Sequence, residues 1–177
     1  MQELSMNVLD IAQNSISAGA GRIDIVINED IEKDLLSIVI SDNGKGMTEE
    51  QVERVSDPFY TTRSTRQVGL GVPLFKMAAE MTGGRFLIES EPGVGTTVSA
   101  EFGYSHIDRA PLGDISATIT QLMCLNESID VTYTHYHNGE EFSVSTQEIR
   151  QTLDGLPMNT PQVMQFLESF VKENTHK

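Results

Sequence analysis

The hexapeptide Asp42-Asn43-Gly44-Lys45-Gly46-Met47 constrains the fold more than any other stretch, because it ends an alternating run, Leu36, Ile38 and Ile40. Such alternation marks a strand with one buried face. Two glycines straight after it let the backbone approach a neighbour where a Cβ would clash. A second glycine pair, Gly69-Leu70-Gly71, leads into Val72-Pro73. Proline suits a first helical turn, where its missing N–H has no partner to lose. One loop thus leaves a strand end and another opens a helix, which is α/β (α+β) architecture.

The rest of the chain fills in that frame. Leu4, Val8, Ile11 and Ser15, with Met6, Leu9, Ala12 and Ile16, recur at helical spacing and predict a first helix ending near Gly19. Ile23, Ile25 and Ile27 alternate as a strand ahead of Leu36–Ile40. Thr48 is a plausible N-cap for a short helix to Val55. Ser56 to Val68 is polar and aperiodic and reads as a mobile loop. A helix then runs to about Met81, followed by strands around Phe86 and Ile88 and around Val98, Ala100 and Phe102. Composition changes between Tyr104 and Gly113, which sets domain 1–104, linker 105–112 and a small α+β extension over 113–177. In the extension, Ile115 to Met123 reads as a helix, Asn138-Gly139 as a hairpin turn, and Thr160-Pro161 as the start of a helix with Val163, Phe166, Leu167, Phe170 and Val171 on one face.

Four signals stand in a fixed order: Asp10–Ala20, with Asn14 on the first helix, Asp42–Met47, Asp57–Arg63 followed by Gly69–Val72, and Gly93–Thr97. Singly, each could be a turn or a glycine-softened loop. Together they resemble the N box, glycine boxes, lid and closing Gly-Thr motif of the GHKL superfamily, the Bergerat fold shared by DNA gyrase, heat-shock chaperones, histidine kinases and mismatch-repair proteins. The lid segment, Asp-Pro-Phe-Tyr-Thr-Thr-Arg, is most similar to the histidine-kinase branch. The resemblance covers residues 1–104 and implies a two-layer sandwich, a mixed, mainly antiparallel sheet with helices on one side, that binds Mg²⁺ and ATP. Neither the P-loop signature nor the dinucleotide fingerprint occurs.

The chemistry of each residue suits the role the family implies. Asp42 is acceptor-only, so it can read the exocyclic amine of adenine and reject a guanine carbonyl. Gly44 and Gly46 let the backbone approach the base, and Met47, which ends the motif, is a further candidate ATP-binding residue. In the family Thr96 supports the adenine, with a water, from the neighbouring strand. Asn14 offers a neutral oxygen to a hard cation, and in the family it holds the Mg²⁺ that bridges the phosphates. Gly69, Leu70 and Gly71 lead into a helix N-terminus that favours the triphosphate. Thr62 and Arg63 belong to the lid, and Arg63 or Arg66 could neutralise the terminal phosphate. Asp10 lies one turn before Asn14, where hydrolytic branches place a Glu general base. An Asp is one methylene shorter and reaches less far toward a water, which argues against efficient ATP hydrolysis and leaves phosphotransfer open. His135 and His137 share a strand face and read as an exposed hairpin face rather than a metal site, and Cys124 as core.

Charge and context narrow the partners. The net charge of −14 disfavours direct binding to nucleic acid or an anionic membrane. One cysteine, the absence of a basic-then-apolar leader and a longest aliphatic run of only Leu35–Ile40 point to a cytoplasmic protein. The first motif begins within ten residues of Met1, so the expected form is a stand-alone histidine-kinase-like protein without the phosphoacceptor hairpin. Three functions follow: phosphotransfer to a separate protein, an ATP-hydrolysing switch, or a non-catalytic nucleotide sensor. A homodimer is compatible with all three.

Overall fold

The computed structural model describes residues 3–57, 59 and 70–175. The helices are α1 (Leu4–Ser17), α2 (Glu49–Ser56), α3 (Gly71–Glu80), α4 (Ile115–Leu125), α5 (Thr146–Leu153) and α6 (Pro161–Thr175). The strands are β1 (Arg22–Asp30), β2 (Leu35–Asp42), β3 (Arg85–Glu91), β4 (Gly95–Gly103), β5 (Asp130–His137) and β6 (Glu140–Ser145). They form one sheet in the order β3-β4-β2-β1-β5-β6. Among the described strands β1 and β5 pair in parallel, and the other neighbours are antiparallel. The sandwich expected from the sequence is therefore present, and β5–β6 lengthen its sheet beyond β1.

Alternation decides which face carries the helices. Ile23, Ile25 and Ile27 of β1, Leu36, Ile38 and Ile40 of β2, and Val98, Ala100 and Phe102 of β4 are all buried. Their neighbours in sequence remain partly exposed, so one face packs and the other meets solvent. α1, α3, α4 and α6 close the buried face, with α1 against α3 and α4, and α4 against α6. Phe75 of α3 sits with its ring centroid 6.1 Å from Phe86 and 5.9 Å from Phe102, tying that helix to β3 and β4. Each fully buried side chain of this kind contributes about 1.5–3 kcal/mol.

Several local expectations meet the structure closely. Thr48 caps α2 in a reciprocal box with Gln51. Asn138 and Gly139 both adopt positive φ in the β5–β6 turn. Cys124 is buried. Two expectations need correction. His135 is not on an exposed face: it is 3% exposed, beneath the sheet's helical layer. Its Nδ1 lies 2.5 Å from the Tyr133 hydroxyl and its Nε2 lies 2.6 Å from Glu29 Oε2, while Tyr104 donates to Glu29 Oε1 at 3.2 Å. Among the described residues no group of three or more His, Cys, Asp or Glu could hold a metal ion. On α6, Leu167 and Val171 are buried but Phe166 and Phe170 stay exposed, stacked on each other beside Phe142. The apolar stripe is wider than the groove that receives it. Helix α5 was not anticipated, because its eight residues are mostly polar.

The Glu29 cluster makes acid stability testable. Desolvation, the largest single influence, pushes the Glu29 carboxyl up, but the hydrogen bond and charge of His135, with His137 and Tyr104, pull it below its ordinary value overall. A carboxyl lowered by folding adds stability above its unfolded pKa, and that stability is lost as pH falls through the folded value. Thermal melts should therefore fall as pH drops below about 4. Glu29→Gln should melt lower at neutral pH and respond less in the acid range. Parallel curves for the two proteins would remove Glu29 from the account.

Candidate functional site

A cavity of about 450 Å³ opens between α1, the β2–α2 loop and the start of β4. Its wall is apolar at Ile11, Ala18, Val55, Val72, Ile88 and Val98, and polar at Asn14, Ser15, Asp42 and Thr96. An apolar slot with a few convergent polar groups is the usual build of a small-molecule site. Asn14 and Asp42 therefore face one cavity, together with Gly46, Met47 and Thr96.

The loop after β2 is fixed from both sides. Asn43 Oδ1 accepts the N–H groups of Gly21 and Arg22 at 2.8 and 2.9 Å, and Lys45 N–H donates to the Ala18 carbonyl at 2.9 Å. On the other side Gly93 N–H donates to the Lys45 carbonyl at 2.7 Å, and Met47 N–H to Ser90 Oγ at 2.8 Å. Gly46 has φ +71°, and a Cβ there would lie 2.0 Å from the Glu91 carbonyl oxygen. Gly44 is packed on Ala18 and donates its N–H to Asp42 Oδ1 at 2.8 Å.

Asp42 is held by a residue that sequence reading missed. Ser15 Oγ donates to Asp42 Oδ2 at 2.6 Å. With Gly44 on the other oxygen, the carboxylate cannot swing, yet each oxygen keeps a lone pair free for an amine. A signal for Ser15 was present: it is a hydroxyl in the apolar stripe of α1, and a buried hydroxyl needs a partner. Ser90 carries the same signal, a polar side chain continuing the Phe86, Ile88 alternation of β3. Its Oγ lies 2.8 Å from Thr96 Oγ1.

The opposite end of the cavity meets α3. A Cβ on Gly71 would lie 3.2 Å from Asp10 Cβ and 3.9 Å from Asn14 Nδ2, so the bare backbone of the helix start faces both side chains. Leu70, just before it, is exposed. Burial raises the Asp10 carboxyl above its ordinary value. Thr62, Arg63, Arg66 and Gly69 lie outside the described residues.

A strand-end carboxylate, a helix amide and a glycine-opened helix start around one apolar slot recur in a known family. Residues 1–106 match the model of the histidine kinase-, DNA gyrase B- and HSP90-like ATPases. The chain belongs to this family. It is thus an ATP-binding, histidine-kinase-like GHKL domain. It is 34% identical over 96 residues to sporulation kinase E of Bacillus subtilis, covering 53% of this chain and 13% of that protein. It is 31% identical over 100 residues to histidine protein kinase DivJ of Caulobacter vibrioides, covering 54% of this chain and 17% of that one. The chain therefore spans less than a fifth of either relative's length. The N-terminal domain of a DNA repair protein superposes with a TM-score of 0.57 at 17% identity, over 81% of this chain and 52% of that one, a likeness of fold. Among the described residues of this GHKL chain, no helix is long and apolar enough to cross a membrane.

Proposed function

We propose that the chain binds Mg·ATP in this cavity and passes the terminal phosphoryl group to, or through it regulates, a separate protein in cytoplasmic signalling. The reading is carried by the convergence of Asp42 and Asn14 on one slot. Asp42 would take the adenine amine, Thr96 would support the base, and the aliphatic wall would stack on its ring. The triphosphate would extend toward Gly71, where the N-terminus of α3 offers N–H groups and a favourable dipole. The donor set fits a magnesium ion that arrives with the phosphates. Mg²⁺ prefers hard oxygen ligands, keeps several waters and needs few protein groups, and the Asn14 amide oxygen is such a group. Bound there, the ion would neutralise phosphate charge. The kinase relatives favour phosphotransfer, and residues 113–177 are the candidate docking or regulatory extension beyond a 1–104 nucleotide domain.

One observation favours a second reading, an ATP-hydrolysing switch. Asp10 lies beside Gly71, at the end assigned to the phosphates, and burial raises its carboxyl toward the range of a useful base. Labelled ATP separates the two. Label transferred to a protein in a cell extract supports phosphotransfer. Free phosphate that falls about 100-fold in Asp10→Asn supports the switch. In that case the rate rises with pH until Asp10 is ionised, with its midpoint above the ordinary Asp value. Tight ATP binding with neither product would refute both catalytic readings.

A further inference from the structure

We propose that Ser90 is a positioning and specificity-determining residue: it orients the Thr96 hydroxyl so that Thr96, like Asp42, presents only an acceptor to the base. The inference rests on the ATP-binding reading. Three groups surround the Ser90 hydroxyl: Met47 N–H at 2.8 Å, the Gly95 carbonyl at 3.1 Å and Thr96 Oγ1 at 2.8 Å. Their proton inventory limits the arrangement. Met47 N–H can only donate, so Ser90 accepts from it. The Gly95 carbonyl can only accept, so it receives the single Ser90 proton. Making all three contacts at once requires Thr96 to donate its own proton to Ser90 and turn its lone pairs toward the cavity.

The consequence is chemical selection. Two acceptors, Asp42 and Thr96, suit the two N–H bonds of an exocyclic amine and repel a carbonyl at the same ring position. A site built on such a pattern discriminates strongly, because a mismatched base leaves polar groups facing one another unpaired. Without the Ser90 hydroxyl, the Thr96 proton is released and can turn toward the base. Ser90 also joins the two halves of the pocket, since the same oxygen holds the β2–α2 loop through Met47 and the start of β4 through Thr96. The position is open to substitution: Ser90 is only half-buried, in strand β3 and outside the core.

Calorimetric titration with ATP and with inosine triphosphate, which carries a carbonyl in place of the amine, tests the role. Ser90→Ala should weaken ATP about tenfold and leave inosine triphosphate unchanged or tighter, narrowing the preference by about tenfold. Ser90→Thr, which restores the hydroxyl, should recover the preference. Amide exchange at Met47 should speed up in Ser90→Ala and return in Ser90→Thr. Equal weakening of both nucleotides, or an unchanged preference, would overturn the proposal and leave Ser90 as a brace for the loop alone. Failure of the unsubstituted chain to bind ATP would be a different result, sinking the nucleotide reading and this inference with it.

Discussion

Gly95→Ala should destabilise the protein by about 4 kcal/mol and remove ATP binding in whatever fraction stays folded. Two effects combine at this position. Its φ of +149° is a conformation that a residue with a Cβ rarely adopts, and a Cβ there would lie 2.0 Å from the Asp42 carbonyl oxygen. The neighbour is backbone in the strand that bears Asp42, so it cannot rotate away. Relief requires β4 and β2 to part where Asp42 pairs with Thr96. Gly93→Ala is the matched control, because Gly93 also has positive φ but nothing within 4 Å of the added carbon. It should cost only about 1 kcal/mol, the backbone strain alone. Urea denaturation of both proteins measures the difference, and equal losses would show that the close approach of β4 to Asp42 is unimportant.

Asn14→Ala should weaken Mg-dependent ATP binding about 100-fold while changing stability by less than about 1 kcal/mol. Asn14 lines the cavity on α1, and among the described residues its amide makes no hydrogen bond that folding would miss. Titration with and without a chelator separates the metal's share. Chelation should bring the unsubstituted protein down to the variant's affinity and leave the variant unaffected. A variant that still responds to magnesium would move the metal site elsewhere and undo the assignment of Asn14.

Asn138-Gly139, the Thr48 cap and the start of α6 at Pro161 were legible because each depends on the conformational limits of a few adjacent residues. Asp42, Asn14 and Thr96 were legible as a set because their order and spacing resemble a family. Ser15 and Ser90 were passed over. A serine in an apolar pattern announces only that a partner exists, and the partner of Ser15 lies 27 positions away. The burial of His135 is not legible in the sequence, because a hairpin has two faces and alternation does not say which is covered.

The sequence by itself determined the strands, every described helix except α5, and the family of the nucleotide domain, since these follow from short-range sterics and from a motif order. Only the tertiary structure decided that β5 lies beside β1 in parallel, that His135 is buried against Glu29, and that one serine joins Met47 to Thr96. The physical reason is common to all three. A period of two is the same whichever strand lies alongside, so pairing partner and buried face are chosen by long-range packing that no local pattern records.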